Sequence, residues 1–307
     1  MNIVTNDQTF HSFNGLNFYV FPQSCYTQRD LPLIPYDSVM LMDINYQPMQ
    51  GLVSQDNRYA TYVPASPLSH WVQSFWQLNV PNGQHFYRSI PDNCVDVIIN
   101  LNRWDDIFIV TPYTLPIAFE LAGPESYFGI RFRVLGHQSI VAAPISEWQP
   151  ENKDSKSGDV LPVDLLNRIY DCLELNLTFK QRCDYLTQAL LSQVQQINPD
   201  PRLAKFVRYC CHHQGSNVDL TDKQCAQFGI SARQLRRLSQ LYLGVSPREF
   251  ARVMRFQKVL RLMSNSSNTA PWLEHYYDQP HFIHEFKRLA GVNPSDFLKM
   301  SVLYNKD

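Results

Sequence analysis

Three arginines stand at positions 233, 236 and 237 of a stretch that reads GISARQLRRLSQLYLGVSP, Gly229 to Pro247. A guanidinium is a flat fork of donors and can place two N–H groups on O6 and N7 of one guanine. At helical spacing, Arg233, Arg236, Arg237 and Gln240 share one flank, and Leu235, Leu238 and Tyr242 line the other. About 47 residues later, HYYDQPHFIHEFKRLAGVNP (His275 to Pro294) sets Gln279, Ile283, His284, Lys287 and Arg288 in a similar frame. Both stretches end in Gly-Val-x-Pro. One exposed basic helix written twice in a chain is chemistry for gripping duplex DNA.

The surrounding residues are those needed to position such helices. Ser231 and Gln234 form an S-x-x-Q capping box, so a helix is expected to start there. Gly229 lies just before it, where a steep crossing needs positive φ. The preceding DKQCAQF reads as a short polar helix, which completes helix-turn-helix grammar. SPREFARVMRFQKVLRLM is expected to be one spacer helix from about Pro247, roughly 25 Å long at 1.5 Å per residue. That falls short of the ~34 Å repeat of DNA. Two reading helices on this spacer enter successive major-groove segments only if side chains close the gap or the DNA bends.

Charge points the same way. The chain has 307 residues and a net charge of −1. Residues 200–307 hold 16 Lys+Arg against 9 Asp+Glu, and residues 1–199 hold 11 against 19, so +7 and −8. Asymmetry of this kind marks a nucleic-acid-binding segment joined to something else. Seven cysteines, an odd number without a C-x-x-C pair, fit reduced thiols in the cytoplasm better than a disulfide framework. No apolar run reaches membrane-span length, and the N-terminus lacks the pattern of a secretory signal.

Upstream, residues 59–141 read as β. CVDVIINLN alternates around Val95, Val97, Ile99 and Leu101. YFGIRFRVLG sets Phe128, Ile130, Phe132 and Val134 on one face and Arg131 and Arg133 on the other. Short strands between Pro, Asn and Gly turns suggest a barrel or sandwich. Residues 144–160 read as a loop. PVDLLNRIYDCLE and TFKQRCDYLTQALLSQV then read as a helical pair, and the two prolines of QQINPDPR mark the joint. The expected fold is α+β and multidomain. A β-barrel, cupin-like domain occupies 1–195, with linker and helical pair at 144–195. An all-α domain with two helix-turn-helix units occupies 196–307.

Other chemistry is weighed and set aside. His11, His70, His85 and His137 form no His-x-His pair, and His212 and His213 beside Cys210 and Cys211 point different ways on a helix, so no metal is expected. No thiol has the His and Glu neighbours of a nucleophile, and no catalytic set appears, so no cofactor is expected. Trp71, Trp76, Tyr87 and Arg131, with Phe75, Phe86 and Arg88 nearby, are the candidate lining of a small-molecule pocket; barrel core is the alternative for the aromatic ones.

The C-terminal hundred residues resemble the AraC/XylS family of transcription regulators, through GISARQLRRL, GVSPREF and YYDQPHFIHEFKRLAGVNPSDF. HWVQSFWQLNV, IPDNCVDVIINLN and GIRFRVLG look, more loosely, like a β-rich sensor domain of one branch of that family. The resemblance implies DNA contacts from Arg233, Gln234, Arg236 and Arg237 on the first reading helix. It implies contacts from Gln279, Ile283 and His284 on the second, with Lys287 and Arg288 toward phosphate. His275 replaces the family's turn glycine, His284 its arginine and Ser239 its core phenylalanine, and Pro271 falls in the preceding helix. The implied protein is a cytoplasmic, effector-responsive regulator. Its partners are duplex DNA, a small-molecule effector, a second copy of itself and, for an activator, RNA polymerase. A β-barrel enzyme carrying a DNA-binding tail is the alternative.

Overall fold

The computed structural model describes residues 10–13, 16–19, 44, 46–49, 58–103, 107–141, 143–148, 160–195, 199–265 and 275–299. Pro271 lies outside the described residues. The chain divides into two compact units, Met1–Pro35 and Tyr36–Asp307. In the first, β1 (Phe10–Phe13) pairs antiparallel with β2 (Leu16–Tyr19).

The second unit holds an antiparallel sheet of five strands. They are β3 (Tyr59–Tyr62), β4 (Val72–Ser89), β5 (Val95–Asn100), β6 (Ile107–Val110) and β7 (Ile117–Phe132), in the order β3-β4-β7-β5-β6. The expected barrel is corrected here: the sheet is open. Closure needs the edge strands to meet. Here β3 and β6 are four residues each, and they pair only with β4 and β5.

Period-two alternation gives the sheet two apolar faces. Phe75, Val97, Ile99, Phe128, Ile130 and Phe132 share the main core with α1 (Val163–Glu174) and α2 (Phe179–Gln193), which supply Leu165, Ile169, Leu186 and Leu190. Trp76, Leu78 and Val80 form a smaller cluster on the other face with Tyr59, Tyr87 and Tyr127. The helix α3 (Pro201–His212) begins at the second proline of the joint, with Asp200 accepting from the Arg202 N–H at 2.9 Å. The main core runs on across that joint through Leu203, Phe206 and Val207, then Leu235 and Phe250. Among the described residues no helix is long and apolar enough to cross a membrane.

His137 is 2% exposed, packs edge-on to Trp148 at 5.5 Å, and its Nε2 has no partner. Burial lowers its pKa to about 3. The imidazole is therefore neutral in the fold, while the unfolded chain takes up a proton near pH 6.5. The stability that depends on the neutral ring is complete above pH ~6.5 and is lost as pH falls toward 3. His137→Gln should flatten the acid limb of the melting-temperature profile between those values. An unchanged slope would show that another group governs that limb.

Candidate nucleic-acid interface

The first reading unit is built from local signals. Thr221 caps α4 (Asp222–Ala226) by accepting from the Gln224 N–H. Gly229 takes φ +75°, the left-handed turn that a residue with a Cβ adopts only under strain. Ser231 and Gln234 form the capping box of α5 (Ala232–Leu243), and the Ala232 N–H donates to Asp222 Oδ1 at 2.9 Å, tying the two helices together. Leu235, Leu238, Ser239 and Leu243 are buried, and Arg233, Gln234, Arg236, Arg237 and Gln240 are exposed. Gln234 Oε1 is engaged with the Ser231 N–H at 3.4 Å, so this side chain serves the cap in the free protein.

The spacer α6 (Pro247–Asn265) has 19 residues, about 28 Å of helix. The second reading helix is α7 (Gln279–Ala290), capped by Asp278 through the His281 N–H at 2.8 Å. It buries Phe282, Phe286 and Leu289 against Val253, Phe256, Val259 and Leu260 of the spacer. An Arg252–Glu285 ion pair at 2.9 Å supports that packing. Gln279, Ile283, His284, Lys287 and Arg288 are exposed. Sequence reasoning missed Tyr277, which is 93% exposed directly before the cap; its place beside Asp278 was the available signal.

The two units correspond position by position, about 47 residues apart: Ser231 with Asp278, Leu235 with Phe282, Gly244 with Gly291, Phe250 with Phe297. Both glycines end their helices at positive φ, +72° and +76°. Pro247 and Pro294 then open the next helices, the latter being α8 (Pro294–Lys299).

Residues 224–300 match a helix-turn-helix domain family, and residues 60–154 match a domain of unknown function, DUF6597. Residues 224–300 are a helix-turn-helix domain. The chain that carries it is a DNA-binding transcription regulator. No curated protein matches the chain in sequence. Among solved structures it is similar to a ToxT variant from Vibrio cholerae strain SCE256, at 12% identity and TM-score 0.33, covering 81% of this chain and 99% of that one. Wild-type ToxT from the same strain, bound to an unsaturated fatty acid, gives 11% and 0.32 over 81% and 98%. The AraC-like transcriptional activator CuxR gives 12% and 0.21 over 71% and 92%. Likenesses this distant carry no argument about fold or ligand.

The candidate pocket residues of this regulator divide between the sheet's two faces. Trp71 belongs to the main core, away from the other three. Trp76 lies over Gly129, where an added Cβ would meet the indole at 1.9 Å, and its Nε1 donates to Asp96 Oδ1 at 3.0 Å. Tyr87 stacks on Phe119 at 4.9 Å, and burial raises its pKa to about 12. Arg131 is buried and bound by Asp96 at 2.9 Å and Asp92 at 3.2 Å. Among the described residues, no three His, Cys, Asp or Glu side chains are arranged to hold a metal ion.

The turn and cap glycines separate two costs. A Cβ on Gly229 would meet nothing within 4 Å, so Gly229→Ala should cost about 1–2 kcal/mol from φ alone. A Cβ on Gly244 would also meet Ile145 Cγ2 at 3.0 Å, so Gly244→Ala should cost more. Urea unfolding of both variants measures this, and equal costs would mean that Ile145 yields freely.

Proposed function

We propose that this regulator holds one face of duplex DNA with both reading helices, in response to a small molecule bound by its sensor part. The observation that carries the reading is the position-by-position match of two capped helices, each exposing polar and basic side chains, within residues 200–307, whose net charge is +7. We take 196–307 as the DNA-binding part and 1–195 as the sensor and dimerisation part, acting in the cytoplasm. A second copy of the chain and, where it activates, RNA polymerase are the further partners. For the effector we favour the sheet face of Trp76, Tyr87 and Arg131: aromatic walls around a fixed polar centre suit an apolar ligand with one or two polar groups.

The two helices differ in what they offer a base. Arg236 and Arg237 on the first correspond to Ile283 and His284 on the second. Arginine makes bidentate contacts worth about 1–3 kcal/mol of discrimination. Isoleucine offers only apolar contact, and a neutral imidazole has one donor. The first half-site should therefore be strict and the second permissive. In selection from random duplex DNA, Arg236→Ala should relax preference in one half-site, and His284→Ala should change affinity with little change in preference. Equal strictness in both halves refutes the asymmetry.

Salt supplies an independent measurement. Binding should weaken with ionic strength with a log–log slope of about −0.9 per neutralised phosphate. Lys287→Ala and Arg288→Ala should each flatten that slope by about one unit if each contacts a phosphate. A slope near zero for the parent would remove the electrostatic basis of the reading.

A further inference from the structure

The segment 111–116 joins β6 to β7 and reads Thr-Pro-Tyr-Thr-Leu-Pro, with prolines at 112 and 116. Its two prolines sit at equivalent points of the two reading units. A Cβ on Gly244, which ends the first reading helix, would meet Pro112 Cδ at 3.8 Å. A Cβ on Gly291, which ends the second, would meet Pro116 Cγ at 3.1 Å and Arg88 Nη1 at 3.4 Å. Arg88 Nη1 also donates to the Ala290 carbonyl at 3.4 Å, at the end of the same helix. Four residue steps reach at most about 14 Å, and proline fixes φ at each end. This short, stiff piece of the sheet therefore lies close to the C-terminal glycine of each reading helix, at the same place in the repeat.

The segment is anchored rather than loose. Tyr113 donates to the Ile90 carbonyl at 2.8 Å and is hydrogen-bonded to the Ser89 hydroxyl. Ile90 is fully buried in the core of the second unit, beside Phe256 and Phe286. On the first reading unit's side, an open cleft of about 430 Å³ lies between the segment and Gln240, Gly244, Val245 and Glu249, with Pro112 and Gly244 as its near points.

We propose that Pro112–Pro116, braced by Arg88, is a strut that fixes the separation and angle of the two reading helices and so sets the half-site spacing the protein accepts. This rests on the reading in which both helices contact DNA. Without the strut, the second unit keeps its packing on the spacer helix but loses its second point of reference. Base preference within each half-site is set by other residues and should be untouched.

The test is selection of bound sites from a random 40-base-pair duplex library by the full-length protein, comparing the parent with Arg88→Ala and with the double variant Leu115→Gly, Pro116→Gly. Leu115 is 57% exposed, and Arg88→Ala stands in should the double variant fail to fold. The parent should return two half-site motifs at one dominant spacing. The variants should return the same motifs, with spacings one base pair to either side gaining roughly two- to thirtyfold in relative occupancy. Variants that melt earlier but keep the parent's spacing would show that the segment only stabilises the fold, and the proposal would be overturned. A parent that yields a single motif, with no second half-site, would instead defeat the double-contact reading, and the strut with it.

Discussion

A guanidinium that is 7% exposed has given up nearly all its water, a penalty of several kcal/mol unless partners replace it. Arg131 has those partners. Asp96 takes its Nε and Nη2 at 3.0 and 2.9 Å, and Asp92 takes Nη2 at 3.2 Å. Two carboxylates on one cation leave excess negative charge, and burial pushes the Asp92 carboxyl up to about 6 against the pull of Arg131. Asp92 is not on a strand. It sits in the turn between β4 and β5, where it also accepts from the Cys94 N–H at 3.0 Å and where Asn93 adopts φ +60°. Holding that turn aims the Asn93 amide at the Phe250 carbonyl, 3.0 Å away, and offers the Pro91 carbonyl to Gln257 at 2.7 Å. Phe250 and Gln257 lie on the spacer helix between the reading units. The charge cluster inside the sensor sheet is thus one residue away from the helix that carries both of them.

What was legible in the sequence was what local chemistry encodes. The Ser231–Gln234 box, the turn at Gly229, the paired Gly-Val-x-Pro ends and the outward arginines all depend on neighbours within a turn or two, and all stand where they were read. Strands β5 and β7 were visible for the same reason, through alternation. Sheet closure was not, because it depends on which strands meet across the sequence. Nor was the length of β4: Pro81-Asn82-Gly83 has turn chemistry, yet the strand passes through it as an irregularity between Val80 and Gly83. The grouping of the pocket residues was hidden for the same reason. Trp71 and Trp76 are five apart and enter different clusters. Arg131 could be assigned to the sheet face, but its partners come from an adjacent strand and a turn that periodicity does not connect to it.

The two reading units also differ in how they are held, and the difference traces to one position of the repeat. In the second unit Phe286 is fully buried and meets Phe256, Phe282 and Phe297 at 5.4, 5.7 and 5.4 Å, an aromatic core that closes within the spacer and the unit itself. Its counterpart in the first unit is Ser239, buried with no partner for its hydroxyl. A serine leaves less apolar surface for the first unit to bury on its own. Its neighbours Leu235, Leu238 and Leu243 instead join the core shared with the sheet and the helical pair. The first unit is therefore continuous in packing with the sensor part. The second forms a separate cluster that includes Ile90 from the sensor sheet. Any rearrangement of the sheet that alters its apolar face acts on the first reading helix directly through shared side chains. It reaches the second through the turn at Pro91–Asn93, the spacer it grips, and the contacts of Ile90 and Arg88. The two reading units are thus tied to the sheet unequally: the helix rich in arginine through shared packing, and the helix with weaker base chemistry through the turn and the spacer.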